Sequence, residues 1–94
     1  MNRILKVIML PLIVSNLFGQ GKKIFISADL EGVVGVVTAE QLGPSGFEYN
    51  RFREFMTAEV NAAIQAAKDA GATEILVADS HGNGQNLLIE KLPK

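Results

Sequence analysis
"KIFISADLEG" (Lys23–Gly32) and "TEILVADSHG" (Thr73–Gly82) decide how this chain folds. Each is an apolar run ending in Ala-Asp, one spacer, a side chain able to ligate a metal, and Gly. Such runs suit strands buried on both faces, as in a parallel sheet. The expected strands are Lys23–Ala28 and Thr73–Ala78. Between them, Phe52, Met56, Val60, Ala63, Ile64 and Ala67 recur at helical spacing. That face predicts a helix from Tyr49 to Ala70, with Gly71 as its stop.

Strand, connection with helix, strand is a βαβ unit, so the expected fold class is α/β with two parallel strands joined by a right-handed crossover. Parallel neighbours present their carboxyl ends on the same edge, where binding sites in open α/β sheets lie. Asp29, Glu31, Asp79 and His81 therefore converge on one rim. The long connection Asp29–Gly46, with four glycines and Pro44, reads as mostly loop. It has a place either in the site or in an interface. "DSHGNGQ" is a polar loop, and "NLLIEKL" (Asn86–Leu92) is expected to begin another helix. "GNG" before that helix is a weak anion-site signal, without the Lys-Ser/Thr ending of a P-loop.

Two carboxylates and one imidazole on a rim match the ligand preferences of zinc and related divalent ions. The residues alone support a plainer reading equally well. Asp and Ser after strands often cap loops, and a lone His is often a hydrogen-bonded loop residue. Glu59 reads as a solvated or helix-pairing residue and Glu90 as surface.

The chain has 94 residues, a formal net charge of −1, one His and no Cys. One domain is the ceiling. Without Cys there is no disulfide framework and no thiolate metal site. Without a basic stripe, nucleic acid is a poor partner. Arg3 and Lys6 followed by the apolar "VIMLPLIV" (Val7–Val14) read as a cleaved signal peptide over residues 1–20. The run is too short for a spanning helix and contains Pro11, so no stable membrane anchor is expected. The expected location is secreted or periplasmic. Residues 21–94 then form the domain, with 7 basic against 10 acidic residues once Arg3 and Lys6 are removed. A core of that size is marginal without metals or partners.

"IFISADLEGVVG", "YNRFREFMTAEVNAAIQAAKDAGATEILVADSHG" and "NLLIEKL", in that order, resemble the N-terminal part of the D-aminopeptidase family of zinc metallopeptidases. The resemblance implies an aminopeptidase with two zinc ions, acting on short peptides with an N-terminal D-amino acid such as D-alanine. It implies Asp29 as a ligand bridging the metals, Glu31 and His81 as further ligands, and Asp79 as the residue orienting the imidazole. Zinc would polarise the scissile carbonyl and lower the pKa of a bound water towards about 7. It also implies a homo-oligomer at full length. The family's remaining ligands, a His and a Glu, and its catalytic His fall beyond "NLLIEKLP". The sequence is therefore expected to be the N-terminal fragment of a larger α/β peptidase domain. Whether this chain alone catalyses is left open.

Two other readings compete. One is a truncated α/β protein or binding fragment without catalysis. The other is a haloacid-dehalogenase-type phosphatase, since "IFISADLEGV" is similar to that family's strand followed by D-x-D-x-T/V. Asp29 would then be the nucleophile, with magnesium. Glu31 stands where that motif has a second Asp.

Overall fold
The computed structural model describes residues 21–94, and the expected signal peptide at 1–20 lies outside them. Strand β1 (Lys22–Ala28) and strand β2 (Ala72–Asp79) pair in parallel. Ile24 lies opposite Ile75, Phe25 opposite Leu76 and Ala28 opposite Asp79. The α/β expectation and its βαβ topology hold. Ser80 N–H donates to the Ala28 carbonyl at 2.8 Å, which keeps the two strand ends level as the chains leave the sheet.

Helix α1 (Tyr49–Asp69) makes the crossover. It stops where the sequence places the stop: Gly71 takes φ +97°, a conformation costly for any residue with a Cβ. Phe52, Met56, Val60 and Ile64 are all 6% exposed or less and pack toward β1 and β2. Each such side chain contributes roughly 1.5–3 kcal/mol of burial, an upper figure. Two details of the expected face differ. Ala63 is exposed, because it sits at the margin of the stripe. Thr57 is buried instead, since its hydroxyl donates to the Arg53 carbonyl at 2.8 Å and accepts Leu88 N–H at 3.0 Å.

The strands are not buried on both faces among the described residues. α1 covers the face carrying Ile26, Ile75 and Val77. Phe25 and Leu76, paired on the opposite face, are 63% and 64% exposed. The helix expected from Asn86 is also absent. That stretch makes only a single 3₁₀ turn, Ile89–Lys91. Leu88 leaves the helical region (φ −83°, ψ 87°), and Leu92 is extended (φ −77°, ψ 151°) ahead of Pro93, whose ring disfavours helical backbone in the residue before it. The loop glycines likewise precede no helix that could receive an anion. No described helix is long and apolar enough to cross a membrane.

Candidate metal centre
β1 ends at Ala28, and Asp29 is still extended (φ −133°, ψ 135°). A single 3₁₀ turn, Leu30–Gly32, follows, closed by Gly32 N–H donating to the Asp29 carbonyl at 3.1 Å. Leu30 is fully buried and fastens this turn to the core. Its neighbours on either side, Asp29 and Glu31, are thereby turned outward, with side chains 57% and 54% exposed. A hydrophobic anchor between two acids explains why Asp-x-Glu presents both carboxylates to one point.

His81 comes to the same point from the loop after β2. Its side chain is only 11% exposed. Nε2–H donates to the Leu42 carbonyl at 2.6 Å. Nδ1 lies 3.1 Å from Asp29 Oδ1 and 2.8 Å from Glu31 Oε2. The Leu42 bond raises the His81 pKa above its ordinary value; burial opposes that, and the Glu31 and Asp29 carboxylates add to it. Asp29 is held below the usual carboxylate range by its hydrogen bond with the Glu31 carboxyl and, against some desolvation, by His81.

One ligand atom from each of Asp29, Glu31 and His81 lies within 4.8 Å of the others. Ligands around a tetrahedral zinc with bonds of about 2.1 Å stand roughly 3.4 Å apart. The Nδ1–carboxylate spacings are a few tenths of an ångström shorter than that, the spacing of hydrogen bonds from a protonated imidazole. A divalent ion fits the donor set after a small opening, taking the place of the Nδ1 proton. The second ring nitrogen already donates to a carbonyl, which is the arrangement metal-ligating histidines use to fix tautomer and ring orientation.

The structure brings three of the four rim residues together and assigns the fourth elsewhere. Asp79 does not touch the imidazole. Its Oδ2 accepts the Asn86 N–H at 2.6 Å and the Leu87 N–H at 2.8 Å, and its Oδ1 accepts from Asn86 Nδ2 at 2.8 Å. Burial works against ionisation, yet these bonds hold the Asp79 pKa below its ordinary value. The ring is oriented by Leu42 instead. Asp79 and Asn86 together hold the His81 main chain: the His81 N–H helps lower the Asp79 pKa, and Asn86 Nδ2 donates to the His81 carbonyl at 2.5 Å.

Asn86 is 2% exposed, and its polar groups are all used. Oδ1 accepts from the Tyr49 hydroxyl at 2.5 Å, and the carbonyl accepts from Arg53 Nε at 2.8 Å. Sequence reasoning missed Leu42 and Asn86. A backbone carbonyl leaves no trace in residue identity, and Asn86 was absorbed into an expected helix. Glu59 also has a place: its carboxylate accepts the Val34 N–H at 3.1 Å, tying α1 to the segment after Glu31. A groove of about 270 Å³ opens beside Asp29, lined by Gly32, Val33, Met56, Glu59 and Ala63 among others. Glu90 is exposed, as expected.

Residues 22–94 match a peptidase family model described as D-aminopeptidase. The chain belongs to the D-aminopeptidase family. Over 70 residues it is 40% identical to the D-aminopeptidase of Bacillus subtilis (strain 168), covering 74% of this chain and 26% of that protein. It also superposes on the solved structure of the Zn-dependent D-aminopeptidase DppA from Bacillus subtilis, a self-compartmentalizing protease. That match has a TM-score of 0.74 and 39% identity over 77% of this chain and 26% of that one. The chain thus spans about a quarter of the length of these relatives. Family membership sets aside the phosphatase reading of Asp29.

Proposed function
We propose that the protein is the N-terminal part of a zinc-dependent D-aminopeptidase and that Asp29, Glu31 and His81 are metal ligands. The observation that carries this reading is the His81 ring: Nε2–H is committed to Leu42, and Nδ1 faces two carboxylates. The Zn-dependence of DppA supports the choice of metal.

Bound zinc would supply Lewis acidity toward the scissile carbonyl. Asp29 and Glu31 would offset its charge, and His81, with a side chain only 11% exposed, would hold it at the strand ends. With three side chains, this set holds one ion in part, and a second ion needs donors from elsewhere. The groove beside Asp29 offers room for a short peptide end next to the metal. The substrate class is short peptides with an N-terminal D-amino acid. Export by a cleaved leader would give the enzyme cell-wall-type or external peptides. A relative described as self-compartmentalizing supports a homo-oligomer.

The test uses the intact protein. Zinc is removed with a chelator and then restored, and hydrolysis of a D-alanyl dipeptide is compared with that of its L-isomer. Activity on the D-isomer that disappears and returns with zinc is expected. Equal turnover in chelated and restored samples would refute the reading. N-terminal sequencing of the mature protein checks the leader, with a cut near Gly19 or Gln20 expected.

A further inference from the structure
The carbonyl that orients His81 belongs to a loop shaped by one buried side chain. Gln41 is 6% exposed and closes the single 3₁₀ turn Ala39–Gln41. Its Oε1 accepts two backbone N–H groups, from Val37 at 2.6 Å and from Thr38 at 3.0 Å. Its Nε2 donates to Glu48 Oε2 at 3.1 Å, next to the start of α1. The Gln41 N–H donates to the Thr38 carbonyl at 3.2 Å in return. The loop then closes on itself: Glu48 N–H donates to the Glu40 carbonyl at 3.1 Å. Gly46 crosses so close to Glu40 that a Cβ there would run into that carbonyl. Leu42, the residue after Gln41, delivers its carbonyl to His81 Nε2 at 2.6 Å.

We propose that Gln41, paired with Glu48, is a positioning residue for the metal centre. It holds the Val37–Glu48 loop in the one shape that brings the Leu42 carbonyl to His81, and so leaves Nδ1 as the nitrogen that binds metal. The inference rests on the zinc reading of Asp29, Glu31 and His81.

The chemistry at this position asks for an amide. Two N–H groups need an acceptor, and a carboxylate needs a donor; Gln supplies both from one planar group. Ala would leave the Val37 and Thr38 N–H groups without this acceptor, in a part-buried place where unpaired donors are costly. Glu would set a second carboxylate against Glu48. The effect then reaches the metal through the ring. Which imidazole nitrogen carries the proton is decided by the bond the other one makes. If Leu42 withdraws, the other neutral tautomer becomes available, with Nδ1–H donating to Asp29 and Glu31, and that form has no lone pair facing the metal position. Outer partners of ligating histidines typically matter by about 10–100-fold in metal affinity.

The experiment titrates zinc against a chromophoric chelator in the intact protein and records imidazole ¹H–¹⁵N spectra of the zinc-loaded form. Wild type, Gln41→Ala, Gln41→Glu and the double variant Gln41→Glu/Glu48→Gln are compared. The double variant reverses the donor and acceptor between the two side chains and keeps both Oε1 contacts. Both single variants should weaken zinc binding by about 10–100-fold and lose the slowly exchanging Nε2–H of His81. The double variant should recover most of both, a rescue that a general packing role would not predict.

If the single variants bind zinc as tightly as wild type, with Nε2–H unchanged, the positioning role is wrong. A folded double variant that stays as weak as Gln41→Glu also overturns it. Wild type that takes up no zinc through His81 overturns the metal reading, and this inference with it.

Discussion
The two strand ends, Asp29-Leu-Glu-Gly and Asp79-Ser-His-Gly, look like copies, and the fold gives them opposite tasks. Asp29 follows β1 into a turn whose middle residue, Leu30, is fully buried, so its carboxylate stays outside, 57% exposed, near Glu31 and His81. Asp79 ends β2 where the chain folds back over it, and three N–H donors from Asn86 and Leu87 fill its oxygens. One carboxylate remains available to a cation, and the other is consumed in holding a loop. A shared motif therefore sets position in the sheet, while the number of nearby N–H donors sets the role.

The sharpest way to break this comparison is to delete each acid in turn. Asp29→Ala should lower zinc affinity by more than the roughly 100-fold at the top of the usual range for indirect partners and leave the melting temperature of the metal-free protein nearly unchanged. Asp79→Ala should act chiefly on stability. It strands the Asn86 and Leu87 N–H groups and is expected to cost about 2–4 kcal/mol in denaturant unfolding, with a loss of zinc affinity no larger than the roughly 10–100-fold of an indirect partner, because Asp79 reaches His81 only through its main chain. If Asp79→Ala costs as much zinc affinity as Asp29→Ala, the two ends are equivalent after all.

Acidity separates the ends more finely, through metal-free stability measured against pH. The Asp79 pKa is lowered in the fold. Its contribution is therefore complete above the unfolded value of about 3.9 and lost as pH falls through the folded value. The His81 pKa is raised. Its contribution is complete below about 6.5 and lost as pH rises through the folded value. Asp79→Asn should flatten the acid limb alone, while His81→Gln should remove the limb above about 6.5 together with the part of the acid limb that Asp29 owes to His81. An Asp79→Asn variant that also flattens the upper limb would contradict the assignment. The smallest effect is expected where the two ends touch each other. Ser27 and Ser80 hydroxyls lie 2.7 Å apart at an exposed position, and Ser27→Ala should change stability by no more than about 0.5 kcal/mol.

Residue patterns carried much of this in advance. Apolar runs at Lys23–Ala28 and Thr73–Ala78 specified two parallel strands, and the stripe from Phe52 to Ile64 specified the helix between them. Together they put Asp29, Glu31 and His81 on one rim, because crossover topology follows from element order and handedness alone. The helix expected at Asn86 failed for a local reason. Leu88 is not helical and Leu92 is extended before Pro93, which leaves room for a single turn, and intrinsic helix preference is weak against such constraints.

What the sequence determined by itself was therefore the order of elements and the edge on which the chemistry collects. Only the tertiary structure decided that Asp79 is filled by Asn86 and Leu87 instead of turning to the imidazole, which nitrogen of His81 faces the carboxylates, and that the Leu42 carbonyl meets the other. The physical reason is that periodicity encodes which face of an element is buried. Hydrogen bonds to backbone carbonyls and N–H groups depend on how distant segments meet, and those groups are the same in every residue but proline.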